Sequence, residues 1–279
     1  MSAHASAQAA PLVVKLGGRA LETPEALREL AADLAADLAA LAPAVLVHGG
    51  GAEVSTWSEK LGFAPRFSNG RRVTDAGTLE VATAVLAGLS NKRLVARLRE
   101  AGVDAVGLAA LDGGIADIVP HADTAALGAV GEIRSIDASL LRALLESGRV
   151  PVLASIGSHA GELLNVNADD LAGALAAALR ARALVLLSDV PGVKLSGAFA
   201  ARLDRDAIAA ALESADVSGG MGPKLAAAAL ALDHGVASAH IGAWGGPGSL
   251  RAVLDRRAGT TLAAADSSTL SLTTAQPHA

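Results

Sequence analysis

The sequence predicts an α/β protein, a three-layer αβα sandwich in which helices cover both faces of a central, mainly parallel β-sheet. Buried strands and helical patterns alternate along the chain, which is typical of a parallel sheet. Glycine-rich turns end three strand segments, at residues 13–18, 45–51 and 152–157. In open sheets of this class, ligands bind beyond the carboxyl ends of the strands, so these turns are expected to border a site.

Strands are expected where short runs of β-branched and aliphatic residues meet turn residues. These runs are 12–16, 44–48, 104–109, 150–155, 184–188 and 236–241. Helical patterns occupy 24–41, 52–61, 78–86, 91–101, 137–147, 168–180, 205–213, 222–234 and 247–255. The first helix has the clearest start, because Thr23 can cap it and Pro24 suits its first position. Residues 112–131 lack helical periodicity and are expected to form a hairpin or a flap.

Composition excludes several classes of protein. The 279 residues carry a formal net charge of −5, so the charge balance does not indicate a basic surface that would bind nucleic acid. The absence of cysteine excludes disulfides and thiolate zinc sites. Apolar stretches such as 171–179 are far shorter than the roughly 20 residues of a membrane span, and residues 1–10 lack the pattern of a secretory signal. We therefore expect a cytoplasmic protein that does not enter membranes.

The first two glycine turns carry the clearest indication of an anion site. Glycine lets the backbone approach a ligand closely, and clustered N–H groups bind phosphate. Lys15 stands at the base of the first turn and adds a positive charge, while His48 stands at the base of the second. Two alternatives remain: the glycines form only tight strand–helix turns, and His48 is a structural histidine rather than an acid–base group.

The second half of the chain adds a carboxylate and a second lysine. Asp169 follows a predicted strand at the start of a helix, where it could simply stabilise the helix dipole. Lys224 follows a glycine loop at 218–222 and could be an ordinary solvated lysine. Neither the Walker pattern nor the dinucleotide fingerprint is present. Two distant lysines, glycine loops and an internal carboxylate together fit phosphoryl transfer without a P-loop.

Seven short motifs occur in the order that they have in the amino acid kinase family: K-L-G-G, H-G-G-G, N-G-x-R-V-T, N-K, N-x-N-A-D, L-S-D-V-x-G and G-G-M-x-x-K. Each motif is weak alone, but the ordered set spans residues 12–262 and is specific. It most resembles the acetylglutamate kinase branch. Kinases of carrier-protein-linked aminoadipate or glutamate are the main alternative, and a non-catalytic ligand sensor of the same fold is another. Retention of Lys15, Asp169 and Lys224 together favours a catalyst.

The resemblance implies the amino acid kinase fold and ATP-dependent phosphorylation of the γ-carboxylate of N-acetyl-L-glutamate, a step of arginine biosynthesis. It implies a lobe at 12–180 that binds acetylglutamate and dimerises, and a lobe at 181–262 that binds ATP. Flexible ends are expected at 1–11 and 263–279. A homodimer through the helical region 78–101 is expected, and the short segment before Pro11 argues against arginine-responsive hexamers.

The resemblance also implies residue roles. Lys15 and Lys224 would neutralise charge on the transferred phosphoryl group, and Asp169 would hold both lysines. The substrate would be bound by Gly50, Gly51, Arg72 and Asn165, with Arg72 clamping its α-carboxylate. ATP would be bound by Gly17, Gly18, Asp189, Val190, Pro191, Gly192, Val193, Lys194, Asp216, Val217 and Ser218. Mg²⁺ would enter with ATP, held mainly by phosphates and water, so no protein metal ligand is expected.

Overall fold

A computed structural model of the protein describes residues 9–17, 21–68 and 70–263. Its strands are β1 (Leu12–Leu16), β2 (Ala44–His48), β3 (Phe67–Ser68), β4 (Arg71–Arg72), β5 (Ala105–Ala109), β6 (Ala116–Pro120), β7 (Val130–Ile136), β8 (Val150–Ala154), β9 (Ile156–His159), β10 (Glu162–Val166), β11 (Ala183–Ser188), β12 (Lys194–Leu195), β13 (Ala198–Phe199), β14 (Arg202–Leu203), β15 (Ser238–Ala243) and β16 (Thr260–Ala263). Its helices are α1 (Pro24–Leu41), α2 (Gly51–Lys60), α3 (Ala76–Thr83), α4 (Asn91–Glu100), α5 (Thr124–Leu127), α6 (Ser139–Glu146), α7 (Ala168–Leu179), α8 (Arg205–Glu213), α9 (Met221–Asp233) and α10 (Ser249–Leu254).

An eight-stranded sheet forms the centre of the molecule, in the order β14-β16-β15-β11-β1-β2-β8-β5. Neighbouring strands are parallel except β15 and β16, which are antiparallel. Helices cover both faces: α1, α4 and α10 contribute to the core on one side, and α6 to α9 contribute to the core on the other. The predicted three-layer arrangement with a mainly parallel sheet is confirmed.

Alternation along β1 determines which way its lysine points. Leu12, Val14 and Leu16 belong to the core on the α1 side, whereas Val13 belongs to the core on the α7 side. Because successive side chains of a strand point to opposite faces, Lys15 shares the face of Val13. The sequence LVVKL thus directs one lysine toward the α7 layer at the carboxyl end of a central strand.

A smaller sheet has four strands in the order β6-β7-β10-β9. The chain passes into it after the carboxyl ends of β5 and β8. Strands β6 and β7 are antiparallel, so the hairpin expected within 112–131 is confirmed. Gly157 of the third glycine turn has a packing role. Gly157 lies within β9, and a Cβ there would meet Ile118 Cδ1 at 1.9 Å, so this glycine serves close packing between strands.

The helical region near residues 78–101 is longer and more continuous than its sequence pattern predicts. It comprises α3, a π-helical segment at Ala84–Ser90 and α4, without the break expected after residue 86.

The start of α1 is as predicted, because Thr23 Oγ1 accepts from the N–H of Ala26 at 3.1 Å and Pro24 occupies the first turn. Within the described part of the chain, no helix has the length and apolar character needed to cross a membrane.

Candidate active site

Two lysines and one aspartate meet at the carboxyl end of β1. Lys15 Nζ lies 3.0 Å from Asp169 Oδ1, and Lys224 Nζ donates a hydrogen bond of 3.0 Å to Asp169 Oδ2. All three residues are buried, with exposed fractions of 7%, 5% and 8% for Lys15, Asp169 and Lys224. Lys224 is therefore not a solvated helix lysine, and Asp169 does more than stabilise a helix dipole.

Electrostatics makes this cluster ready for an anion. Burial raises the pKa of Asp169, but the two ammonium groups lower it more, and the pKa stays below its usual range. Burial and repulsion from Lys15 lower the pKa of Lys224. With both lysines protonated, two positive charges face one negative charge. The surplus positive charge is buried, where an anionic ligand would be attracted strongly.

The starts of helices α7 and α9 bring Asp169 and Lys224 together. Asn167 caps α7, its Oδ1 accepting from the N–H groups of Asp169 at 2.8 Å and Asp170 at 3.2 Å. Helices α7 and α9 approach closely, because a Cβ on Gly173 would lie only 2.7 Å from the carbonyl oxygen of Ala227. The alanine-rich helices therefore do more than favour helix formation: their small side chains let two first turns converge.

The first two glycine turns border this cluster, and their glycines have steric reasons. A Cβ on Gly17 would lie 2.7 Å from Lys15 Nζ, so glycine leaves room for the ammonium group. A Cβ on Gly50 would meet Leu86 Cδ2 at 2.8 Å. The N–H of Gly49 donates to the carbonyl of Leu16 at 3.0 Å, which ties the two turns together. Gly18, expected near the phosphates, lies outside the described residues, as does Asn69 of the third motif.

A cleft of about 210 Å³ opens beside the cluster and contains the predicted substrate residues. It is lined by Lys15, Gly17, Gly49, Gly50, Gly51, Val54, Phe67, Gly70, Arg71, Arg72, Ala82, Leu86, Val130, Ser155, Asn165, Val166, Asn167, Ala168 and Asp169. Asn165 Nδ2 donates to Thr74 Oγ1 at 3.1 Å. The structure thus brings the first glycine turns, Arg72, Asn165 and the Lys–Asp cluster into one place.

Arg72 has one arm bound to the protein and one arm free. Its Nη2 donates to the carbonyl of Gly51 at 2.7 Å and to Ser55 Oγ at 2.8 Å, while the ring of Phe67 lies 4.7 Å from the guanidinium carbon. Its Nη1 is buried without a hydrogen-bond partner. Burial also lowers the pKa of this guanidinium. A buried, unpaired charged donor is costly, and a carboxylate in the cleft would satisfy it.

Asp189, the first residue of the segment 189–194 predicted to bind ATP, lies near the second glycine turn. A second cavity, about 230 Å³, is lined by Leu21, Glu22, Gly50, Gly51, Ala52, Glu53 and Asp189. Asp216 Oδ2 accepts from the N–H of Ser196 at 2.7 Å, near the segment 189–194. Val193 differs from its neighbours, because it is fully buried and its N–H donates to Thr260 Oγ1 at 2.8 Å. Its side chain belongs to the core rather than to a ligand surface.

His48 is a structural residue, which resolves the question that its position raised. It is fully buried, and burial lowers its pKa to about 4. Its two ring nitrogens contact the Gly49 carbonyl at 2.9 Å and Asn91 Nδ2 at 3.0 Å. A neutral ring that donates from Nδ1 and accepts at Nε2 satisfies both contacts. Its ring nitrogens are thereby occupied within the protein and it joins β2 to α4.

Sequence reasoning missed several residues of the cleft. Ser155, which follows β8 directly, lines the cleft and is 2% exposed. Phe67 packs over Arg72, and Val130 at the start of β7 adds an apolar wall. Ser155 stands at the end of a predicted central strand, where its position alone was a usable signal. Phe67 had no such signal, because its two-residue strand was not predicted, and for Val130 only a hairpin or a flap at 112–131 was expected.

The fold and the site together define an open α/β sandwich that carries a buried Lys–Asp–Lys cluster at the carboxyl ends of its strands and has no P-loop. The chain belongs to the amino acid kinase family, whose family model matches residues 10–243.

Among its relatives is the acetylglutamate kinase of Methanopyrus kandleri, which is 43% identical over 239 residues covering 82% of this chain and 93% of the relative. The structure is also similar to that of N-acetylglutamate synthase from Neisseria gonorrhoeae in complex with coenzyme A and N-acetyl-glutamate. There the TM-score is 0.79 at 28% identity, over 92% of this chain and 60% of that chain. Carbamate kinase from Giardia lamblia shares the fold, with a TM-score of 0.70 at 14% identity over 92% of this chain and 99% of that chain.

Proposed function

We propose that this protein is an acetylglutamate kinase, which uses ATP to phosphorylate the γ-carboxylate of N-acetyl-L-glutamate in arginine biosynthesis. The observation that carries the proposal is the buried Lys15–Asp169–Lys224 cluster, which lies beside two glycine turns and one half-free arginine. The acetylglutamate kinase relative at 43% identity supports the choice of substrate.

The reaction places two anions next to each other, and the cluster offsets their charge. A γ-carboxylate oxygen forms a bond to the γ-phosphorus of ATP as the bond from that phosphorus to the bridging oxygen breaks, and ADP leaves with the electron pair. No general base is needed, because the attacking carboxylate is already ionised at neutral pH. Lys15 and Lys224 stabilise the charge spread over the transferred group, and Asp169 holds both ammonium groups in position.

The substrate would lie in the cleft with its two carboxylates at different partners. The free Nη1 of Arg72 is a suitable donor for the α-carboxylate, since guanidinium pairs well with carboxylate geometry. Asn165 would bond the acetamido group or a carboxylate oxygen from the opposite wall. The turn at Gly50 and Gly51 would present N–H groups to the reacting carboxylate and the phosphates. These contacts would place the γ-carboxylate next to Lys15.

ATP would occupy the side of Asp189 and the segments 189–194 and 216–218. Among the described residues, no group of three or more His, Asp or Glu side chains is arranged to hold a metal ion. An ion that arrives with the nucleotide, bound by its phosphates and by water, suits this donor set, as Mg²⁺ prefers. When bound, Mg²⁺ would neutralise charge on the β- and γ-phosphates.

We place the boundary between the two functional lobes at residue 180. The substrate cleft is lined by residues that precede it, and the predicted nucleotide segments 189–194 and 216–218 follow it, whereas Gly17 and Gly18 precede it. One continuous sheet runs through both parts, because β1 pairs with β11 on one side and with β2 on the other. The lobes are therefore functional halves of a single sheet.

The assay that tests this function compares acceptors. With ATP and Mg²⁺, N-acetyl-L-glutamate should yield ADP and an acyl phosphate that hydroxylamine traps. Free L-glutamate should be poor, because it lacks the acetyl group and carries an α-ammonium that the cationic cleft repels. Aminoadipate, aspartate and a carrier-linked glutamate serve as further acceptors. Equal turnover of glutamate and its acetylated form would refute the substrate assignment, and binding without turnover would indicate the sensor.

We also propose a homodimer through the surface around α2 and α3. Four apolar residues of the region 78–101, through which the dimer was expected, are instead buried in the subunit's own core: Ala82, Leu86, Leu94 and Leu98. What remains is an apolar groove of about 250 Å³ lined by Trp57, Leu61, Val81, Ala84, Val85 and Leu89. Leu61 is 59% exposed at its rim.

Light scattering should give twice the chain mass, and Leu61→Asp should give a monomer. A wild-type monomer would contradict this assembly.

A further inference from the structure

The hairpin formed by β3 and β4 carries two adjacent arginines that reach opposite walls of the cleft. Arg72 contacts α2 through Gly51 and Ser55. Arg71 Nη1 donates to Asp170 Oδ2 on α7 at 2.7 Å. Successive side chains of a strand point to opposite faces, so this two-residue strand can bridge both walls. The hairpin is therefore fixed from two sides.

The hairpin itself is a weak element. Each of its strands has two residues, joined by the pairs Phe67 with Arg72 and Ser68 with Arg71. Strands this short contribute little stability of their own. The position of Arg72 must therefore depend on what the rest of the hairpin contacts.

The contact between Arg71 and Asp170 is better shielded from solvent than the neighbouring ion pair between Arg66 and Asp75. Their side chains are 24% and 26% exposed, whereas those of Arg66 and Asp75 are 64% and 54% exposed at a distance of 3.5 Å. Burial raises the pKa of the Asp170 carboxyl, and Arg71 offsets part of this effect. Breaking a shielded pair costs more than breaking a solvated one, because it leaves a partly buried charge without its partner.

The hairpin turn also contacts the loop that precedes Lys224. Gly70 has a φ of 76°, and a Cβ there would lie 2.5 Å from the carbonyl oxygen of Gly219. Both features require glycine at the turn. The turn therefore packs directly against the glycine loop that precedes Lys224.

We propose that Arg71 and Asp170 are positioning residues. Their ion pair acts as a latch that holds the hairpin against α7, and it thereby orients the free Nη1 of Arg72 toward the substrate α-carboxylate. Neither residue needs to touch the reacting atoms. Asp170 also offsets the charge of Arg71, while the buried Nη1 of Arg72 has no hydrogen-bond partner in the protein. This inference rests on the proposed function for its substrate, whereas the latch itself can be measured without turnover.

The kinetic test compares two acceptors. Arg71→Ala and Asp170→Asn should each raise the KM for N-acetyl-L-glutamate about tenfold, and the double variant should raise it no further, as for one shared interaction. N-acetyl-γ-aminobutyrate lacks the α-carboxylate, so its KM should barely change in the same variants. Arg71→Lys should recover part of the loss, and Arg66→Ala is the matched control from the exposed pair. The proposal would be overturned if the KM values for both acceptors rose equally. It would also be overturned if the fold-change in the double variant were the product of the fold-changes in the two single variants.

Trypsin provides a readout that does not depend on the reaction. Asp170→Asn should release the hairpin and accelerate cleavage after its arginines, whereas Asp117→Asn, which breaks the exposed pair with Arg134, should leave that cleavage unchanged. If wild-type protein does not phosphorylate acetylglutamate, the proposed function is wrong. The cleavage rates still test whether the pair of Arg71 and Asp170 holds the hairpin. An unchanged cleavage rate in Asp170→Asn would show that the pair does not hold the hairpin.

Discussion

Lys224→Ala should lower kcat with N-acetyl-L-glutamate about a hundredfold to a thousandfold, the cost of losing one preorganised charge-stabilising donor. The ammonium group donates to Asp169 at 3.0 Å and is buried, so water replaces it poorly. The KM for acetylglutamate should change far less than kcat, because the contact strengthens as charge develops on the transferred group. Stopped assays with both substrates saturating measure the effect.

Two further variants separate charge from packing at this position. Lys224→Gln keeps most of the side-chain volume and should lose nearly as much activity as the alanine variant. Lys60→Ala removes an exposed lysine at the end of α2 and should leave kcat within about twofold, as is usual for surface substitutions. If Lys224→Gln kept normal kcat, the charge of Lys224 would have no part in the transition state.

Arg72→Ala should raise the KM for N-acetyl-L-glutamate about a hundredfold and leave the KM for ATP within about twofold, since it removes a buried partner of the substrate carboxylate. The reason is the free Nη1, which is buried and has no hydrogen-bond partner in the protein. Arg72→Lys should be intermediate, because a lysine keeps the charge but cannot bond Gly51, Ser55 and the substrate at once.

An acceptor without the α-carboxylate makes this prediction specific. Wild-type protein should bind N-acetyl-γ-aminobutyrate about as weakly as the Arg72→Ala variant binds N-acetyl-L-glutamate. The same substitution should then add little to the KM for the truncated acceptor, since the contact is already absent. Equal losses for both acceptors would mean that Arg72 supports the cleft generally and does not bind the α-carboxylate.

The sequence predicted the central elements well, for local reasons. The runs 12–16 and 44–48 became β1 and β2 with the same bounds, because aliphatic strands that end in glycine have few other conformations. The cap at Thr23 and the proline at 24 fixed the start of α1. Short elements such as β3, β4 and β9 were not predicted, since two to four residues carry too little periodicity and are held by distant partners.

Charged residues show where local reasoning stops. The sequence identified Lys15, Asp169 and Lys224 as residues of interest, yet Asp169 alone could have stabilised a helix dipole and Lys224 alone could have been a solvated lysine. Only the packing of α7 on α9, with Gly173 against Ala227, decided that one carboxylate holds both lysines. The protonation state of His48 likewise followed from its complete burial, which no motif displays.

The sequence by itself determined the α/β class, the main strands and helices and the family, because side-chain period, capping and glycine turns act over a few neighbouring residues. The tertiary structure decided which of these residues meet. It paired Arg71 with Asp170, left one arm of Arg72 unpaired and removed Gly157 from the site. Such contacts join residues far apart in the chain, so they depend on how whole elements pack and on how far each charge is removed from water.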